Sequence, residues 1–84
     1  MKVQISIVKQ IEIDVESEAL ERLDHLYRTT PYENWKDIDY NLVEQACLDV
    51  EKATGLRFAS YANPDGEEVV IGVYAMDGEA IIEG

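Results

Sequence analysis

Residues 3–15 read VQISIVKQIEIDV, a run in which an apolar side chain occupies every odd position except Lys9. Successive side chains of a β-strand point to opposite faces, so this period of two predicts a strand with one apolar and one polar face. We expect one long strand over 3–15, bulged or bent near Lys9. Its apolar face must be buried against another layer of secondary structure.

Two amphipathic helices are predicted to follow this strand. Ser17 is a typical N-cap, and apolar residues recur after it at helical spacing up to about Arg28, where the sequence TTP at 29–31 ends the helix. The second helix begins between Asn34 and Asp39, with Asn34, Asp37 or Asp39 as its cap. Gly55 is its expected C-terminal stop. Its apolar side consists of Trp35, Ile38, Leu42, Ala46, Val50 and Ala53.

The remaining sequence alternates between strands and turns. We expect strands over 56–62, 68–76 and 79–83, with the second of these central and the third at an edge. The turns are NPDG at 63–66 and the two-residue hairpin turn DG at 77–78. The order β-α-α-β-β-β predicts a single domain over 1–84 of the α+β class, with an antiparallel sheet of about four strands and both helices on one face.

The charge of the chain limits its partners. The 84 residues contain 18 acidic and 7 basic side chains, which gives a net charge of −11. Proteins bind phosphate groups largely through Lys and Arg, so this excess of acid opposes direct binding to nucleic acid and to anionic membranes. It favours a protein partner with a basic surface, whose association would depend on salt.

The sequence lacks the usual signatures of catalysis. It contains one His and one Cys, which are too few for a His/Cys metal site, and none of the common nucleotide-binding or hydrolase motifs. We therefore expect a protein that is not an enzyme and has no cofactor. The longest apolar run is eight residues, the N-terminus alternates, and Cys47 cannot form an internal disulfide; these features predict a cytoplasmic protein without a membrane span.

Acidic residues recur every seventh position through the second predicted helix, at Asp37, Glu44 and Glu51. None has a basic residue four positions later, so an exposed acidic stripe is expected on the side away from the apolar residues. Glu67 and Glu68, next to the predicted turn, add to the acidic surface. The stripe is either a docking surface for a basic partner or a solvated face that serves solubility.

The outer face of the sheet is the second candidate surface. If Val69, Ile71 and Val73 point towards the helices, the alternation turns Val70, Tyr74 and Met76 outward. By the same alternation Val8, in the strand over 3–15, and Tyr61, in the strand over 56–62, also face outward. An exposed apolar patch of this size is typical of an interface, unless a loop covers it or the facing is inverted. The expected members of the patch are Val8, Tyr61, Val70, Tyr74 and Met76.

Three functions are consistent with these features. The first is a small non-enzymatic protein-binding module, one form of which is a nucleic-acid-mimicking inhibitor whose carboxylates occupy a basic groove of a nucleic-acid-handling protein. The second is an accessory or scaffolding domain that homodimerises or binds a protein through the sheet face. The third is a small enzyme or ligand binder, which needs a concave site.

Overall fold

In the computed structural model, residues 1–7, 9–59 and 69–83 are described, and they contain two α-helices, a 3-10 helix and six strands. The helices are α1 (Glu18–Thr29), the 3-10 helix (Tyr32–Asp37) and α2 (Tyr40–Thr54). The strands are β1 (Lys2–Ser6), β2 (Gln10–Asp14), β3 (Arg57–Phe58), β4 (Val69–Val70), β5 (Gly72–Ala75) and β6 (Ala80–Glu83). Four of them form an antiparallel sheet in the order β2-β1-β5-β6, which confirms the predicted α+β class.

The prediction of a single long strand over 3–15 is wrong, because this stretch folds back on itself as the β1–β2 hairpin. The reversal lies around Lys9, where the backbone N–H of Ile7 donates to the carbonyl oxygen of Lys9 at 2.9 Å. In the hairpin register every pair joins two odd or two even positions, as in the pairs Val3–Ile13 and Ile5–Ile11. The period of two therefore continues through the turn, and the pattern alone cannot distinguish a hairpin from one long strand.

The odd positions of β1 form the centre of the core. Val3 and Ile5 are fully buried, and each lies between a β2 residue on one side and a β5 residue, Ala75 or Val73, on the other. Both helices cover this row, since residues from each join the same buried cluster. These are Leu20 and Leu23 of α1 and Ala46 and Val50 of α2. The two helices therefore pack on one face of the sheet, as predicted.

The ends of the helices follow the capping signals in the sequence. The side chain of Ser17 accepts a hydrogen bond from the backbone N–H of Leu20 and so caps α1. Asp39, rather than Asp37, caps α2 and accepts from the backbone N–H of Asn41. Gly55 ends α2 with a φ of 73°, a left-handed conformation that glycine adopts without a steric penalty.

The apolar run predicted as one strand over 68–76 is interrupted at Ile71. On one side, β4 pairs in parallel with the two-residue β3; on the other, β5 enters the antiparallel sheet. The Ile71 side chain is 47% exposed, although its backbone N–H donates to Ser6. The break shifts the alternation, so Val70 and Val73 are both fully buried. The outward orientation predicted for Val70 is therefore wrong.

Other predictions for this half of the chain have mixed outcomes. A hairpin joins β5 to β6 as predicted, but its connection is longer than the expected two residues, because β5 ends at Ala75 and β6 begins at Ala80. Gly78 in this connection has a φ of 93°, and β5 is central while β6 lies at an edge. The strand predicted over 56–62 is limited to β3 within the residues described. The predicted turn at 63–66 lies outside the described residues.

Ser17 also connects the two helices. Its hydroxyl donates to the carboxylate of Asp49 on α2 at 2.7 Å, while its oxygen accepts from Leu20 at 3.0 Å. The amide of Gln45 donates to the other carboxylate oxygen of Asp49 at 2.9 Å. Ser17 is buried, so the Leu20 N–H and the Asp49 carboxylate would each lose a partner shielded from water if the hydroxyl were removed.

We expect Ser17→Ala to lower the free energy of unfolding by about 1–2 kcal/mol, because the change removes both a helix cap and a buried link between helices. Urea denaturation followed by circular dichroism measures this. Ser17→Thr should retain most of the stability, since a threonine hydroxyl can cap a helix. Ser6→Ala is the matched control, because the Ser6 side chain makes no hydrogen bond with the described residues. An effect of Ser17→Ala no larger than that of Ser6→Ala would contradict the expectation.

Candidate functional site

The side of α2 away from the sheet exposes an apolar surface. Tyr40 and Leu48 are 70% and 58% exposed, and Val43 and Cys47 are half-buried between them. With Glu44, these side chains line a depression of about 350 Å³. Their spacing of three, four, seven and eight residues from Tyr40 places them on one side of a helix. We call the five residues the α2 outer face.

The α2 outer face is left over from the packing of the core. Ala46 and Val50 face inward and are fully buried, whereas Tyr40 and Leu48 lie far around the helix from them at about 100° per residue. Sequence reasoning missed this surface because it assigned the outward side of the helix to acidic residues alone. The signal for this surface in the sequence was that two large apolar residues, Tyr40 and Leu48, lie about two helical turns apart with Glu44 midway between them.

The acidic stripe predicted on the second helix is not continuous. Asp37 lies on the 3-10 helix, because α2 begins only at Tyr40. Glu51 is half-buried, and its carboxylate accepts a hydrogen bond from the backbone N–H of Phe58 at 3.1 Å. This bond fixes the start of β3 to α2. Glu44 is the member of the three that is both on α2 and exposed, and its carboxylate forms no ion pair with the residues described.

Cys47 lies in the α2 outer face as a neutral thiol. Burial raises the pKa of this thiol above its ordinary value, and the negative charges of Glu51 and Glu44 raise it further. A thiol is reactive mainly as its thiolate, so this environment opposes nucleophilic chemistry at Cys47. The side chain therefore contributes apolar surface to the face.

The outer side of the sheet does not form the apolar patch predicted for it within the residues described. Val70 is buried in the core, and the ring of Tyr74 lies half-buried across Gly72, where an added Cβ would be 2.9 Å from the hydroxyl oxygen of Tyr74. Met76 is exposed beside the β5–β6 turn. Val8, Tyr61, Glu67 and Glu68 lie outside the described residues.

Polar side chains occupy the neighbouring outer positions of β1 and β2. The amide of Gln10 donates to the side-chain oxygen of Gln4, and the amide of Gln4 donates to the backbone oxygen of Met76 at 3.2 Å. The first bond links β2 to β1, and the second links β1 to the β5–β6 turn. They make that side more polar than the sequence pattern predicted.

A second depression lies where the 3-10 helix meets the edge strand β6. Tyr27, Trp35, Glu79, Ala80 and Ile81 line it, with a volume of about 280 Å³. The rings of Tyr27 and Trp35 have centroids 5.0 Å apart and planes at 71°. The Trp35 indole N–H donates to the backbone oxygen of Thr30 at 2.9 Å, which fixes the orientation of the ring. We call this depression the aromatic cleft.

An ion-pair cluster holds the β5–β6 turn against the end of α1. Two guanidinium nitrogens of Arg28 donate to the two carboxylate oxygens of Asp77, each at 2.8 Å, and Nε donates to Asp24 at 2.9 Å. The hydrogen bonds from Arg28, and then the one from the backbone N–H of Glu79, lower the pKa of Asp77 to about 2. The cluster holds the turn that precedes Glu79, one of the residues that line the aromatic cleft.

Neither a metal-ligating cluster nor a membrane-spanning helix is found in the described segments. In 1–7, 9–59 and 69–83, no group of three or more His, Cys, Asp or Glu side chains is arranged to hold a metal ion. No helix in these segments has the length and apolar character needed to cross a membrane. A third depression, of about 360 Å³, lies along α1 beside Arg22 and His25.

No protein-family model matches the chain, and comparison with curated proteins and with solved structures yields no match. The assignment of a function therefore rests on the surfaces described above.

Acidification should weaken the contribution of the Arg28–Asp77 ion pair to the stability of the fold. Asp77 has a pKa of about 2 in the folded protein, below the usual value of about 3.9. A carboxylate whose pKa is lowered by folding stabilises the fold above its unfolded pKa, and this contribution is lost as the pH falls from about 4 through 2. We expect Asp77→Asn to lower the melting temperature equally at pH 7 and pH 5, and by progressively less at lower pH.

Thermal unfolding of both proteins between pH 7 and below 2 measures this difference. Asp37→Asn is the matched control, since the Asp37 carboxylate makes no ion pair or hydrogen bond with the described residues. A difference between Asp77→Asn and the unsubstituted chain that stays constant down to the lowest pH would contradict the assignment.

Proposed function

We propose that this protein is a small acidic, non-enzymatic protein-binding module, and that the α2 outer face is its binding surface. The observation that supports this most directly is the exposure of Tyr40 and Leu48 beside Glu44 on one helix side. Helices commonly bind in apolar grooves and on apolar faces through residues at this spacing. We also propose that the protein is cytoplasmic, because a lone cysteine is typical of a reducing compartment.

The partner we propose is an amphipathic helix with basic residues beside its apolar side. Apolar anchors supply affinity when they leave water, and complementary charges select the partner and accelerate its association. The chain carries a net charge of −11, and Glu44 lies within the apolar surface itself. A cation on the partner helix would offset the cost of bringing the Glu44 carboxylate into a drier interface.

A second copy of the chain fits this surface less well. Two antiparallel α2 helices packed through their outer faces would bring their Glu44 carboxylates close together near the centre of the contact. Each subunit would also bring its own net charge of −11. Repulsion between like charges opposes such a pair, most strongly at low salt.

Other functions receive less support from the geometry. Mimicry of nucleic acid would need repeated free carboxylates, but Glu51 is engaged with Phe58 and Asp37 lies off α2. A scaffold that binds through the outer side of the sheet would have to use a surface to which Val70 does not contribute, because it is buried, and which carries Gln4 and Gln10. For a small enzyme, Cys47 is a poor nucleophile, because its thiol is held neutral.

Designed helical peptides test the proposal. We expect a peptide with an apolar stripe flanked by lysines to bind, and to shift the amide signals of α2 in two-dimensional NMR spectra. The same stripe flanked by glutamates should bind at least tenfold more weakly. Leu48→Ser should weaken binding of the basic peptide by about tenfold or more, since burying a leucine side chain contributes about 1.5–3 kcal/mol.

Two matched controls separate the surface from general effects. Met76→Ser removes another exposed apolar side chain, 41% exposed against 58% for Leu48, from a position beside the sheet and should leave binding unchanged. Glu44→Lys should weaken binding more than Glu16→Lys, which changes the net charge by the same amount at an exposed position off α2. Equal binding of the basic and acidic peptides, or equal effects of Leu48→Ser and Met76→Ser, would refute the proposal.

A further inference from the structure

We propose that the aromatic cleft is a second binding site, which receives the cationic side chain of a lysine or arginine from a partner protein. The cleft combines two aromatic rings at a steep angle to each other with one acidic residue, Glu79. Cations are attracted to the faces of Trp and Tyr rings, and most strongly where water is partly excluded. This site involves none of the residues of the α2 outer face.

The rings of the cleft are held in place before any ligand arrives. Trp35 is 39% exposed, so part of its surface is available, yet its N–H is bound to Thr30 and its ring contacts Tyr27. Tyr32 packs against Trp35 from another direction, with centroids 5.0 Å apart. An oriented ring loses little further freedom on binding, so more of the interaction energy contributes to affinity.

The charges around the cleft favour a cation over an anion or a neutral group. Glu79 lines it, and its carboxylate makes no ion pair with the described residues. The neighbouring base, Arg28, is already paired with both Asp77 and Asp24. Lys36 follows Trp35 in the chain but does not line the cleft. The local balance is therefore negative, which suits the ammonium group of lysine or the guanidinium group of arginine.

The remaining lining fits the apolar stem of such a side chain. Ala80 and Ile81 also line the cleft, and Ile81 is itself buried. Lysine and arginine place their methylene groups along apolar surface while the charged end meets a polar partner. The volume of about 280 Å³ is several times the roughly 30 Å³ that one water molecule occupies, so a side chain has room to enter.

The test uses three capped pentapeptides that differ only at the central residue, which is lysine, trimethyl-lysine or norleucine. Trp35 is the one tryptophan in the chain, so its fluorescence reports on the cleft directly. We expect the lysine and trimethyl-lysine peptides to produce a saturable change in emission and to shift the amide signals of 79–81. Norleucine, which has no charge, should produce neither.

Substitutions identify the groups that bind the cation. Glu79→Gln should weaken binding of the lysine peptide by about fivefold, and Trp35→Leu, followed by NMR, should weaken it by about tenfold or more. Glu44→Gln is the matched control: it removes one charge from the α2 outer face and should leave this binding unchanged. Because Glu79 is exposed, Glu79→Gln keeps the test valid even if Trp35→Leu perturbs folding.

Three results would overturn the inference. They are an equal response to norleucine and lysine, equal affinities of the Glu79→Gln and unsubstituted proteins, and no saturable response up to about 10 mM peptide. Leu48→Ser, which should weaken binding of the helical peptide by about tenfold or more, should leave the response of the cleft intact. Failure of the cleft and failure of the α2 outer face are therefore distinguishable.

Discussion

Burial of one face of β1 is the constraint on which the rest of this structure depends. Val3 and Ile5 are completely removed from water, with β2 and β5 on either side, and this apolar row needs a layer above it. The two helices supply that layer. Ser17 makes the arrangement specific, because one hydroxyl both begins α1 directly after the hairpin and binds Asp49 of α2.

The same constraint produces the surfaces to which we assign function. A helix that covers a sheet buries one side, and in α2 that side holds Ala46 and Val50. Tyr40 and Leu48 are then left facing solvent, where large apolar side chains contribute nothing to the core. The aromatic cleft arises in a comparable way, where the connection between the helices passes beside β6. In both places an acidic residue, Glu44 or Glu79, lies among apolar lining residues, and this combination favours basic partners.

The differences between the predictions and the structure have specific physical causes. A hairpin that pairs odd positions with odd positions retains the alternation of a single strand, so the pattern over 3–15 could not reveal the turn at Lys9. Most residues of the apolar run around Ile71 favour a strand, and a change of pairing partner decides which side chains are buried. Glu51 resembles a free surface acid in sequence, yet the backbone N–H of Phe58 in β3, beyond the end of the helix, donates to its carboxylate.

By itself, the sequence determined the properties that depend on near neighbours in the chain. These are the α+β class, the caps at Ser17 and Gly55, the hairpin around 77–78 and the net charge of −11. Only the tertiary structure decided which residues are exposed together. It buried Val70, separated Asp37 from α2, and brought Tyr27, Trp35 and Glu79 around one cleft. Such groupings join segments far apart in the chain, so they depend on strand pairing and packing and not on local periodicity.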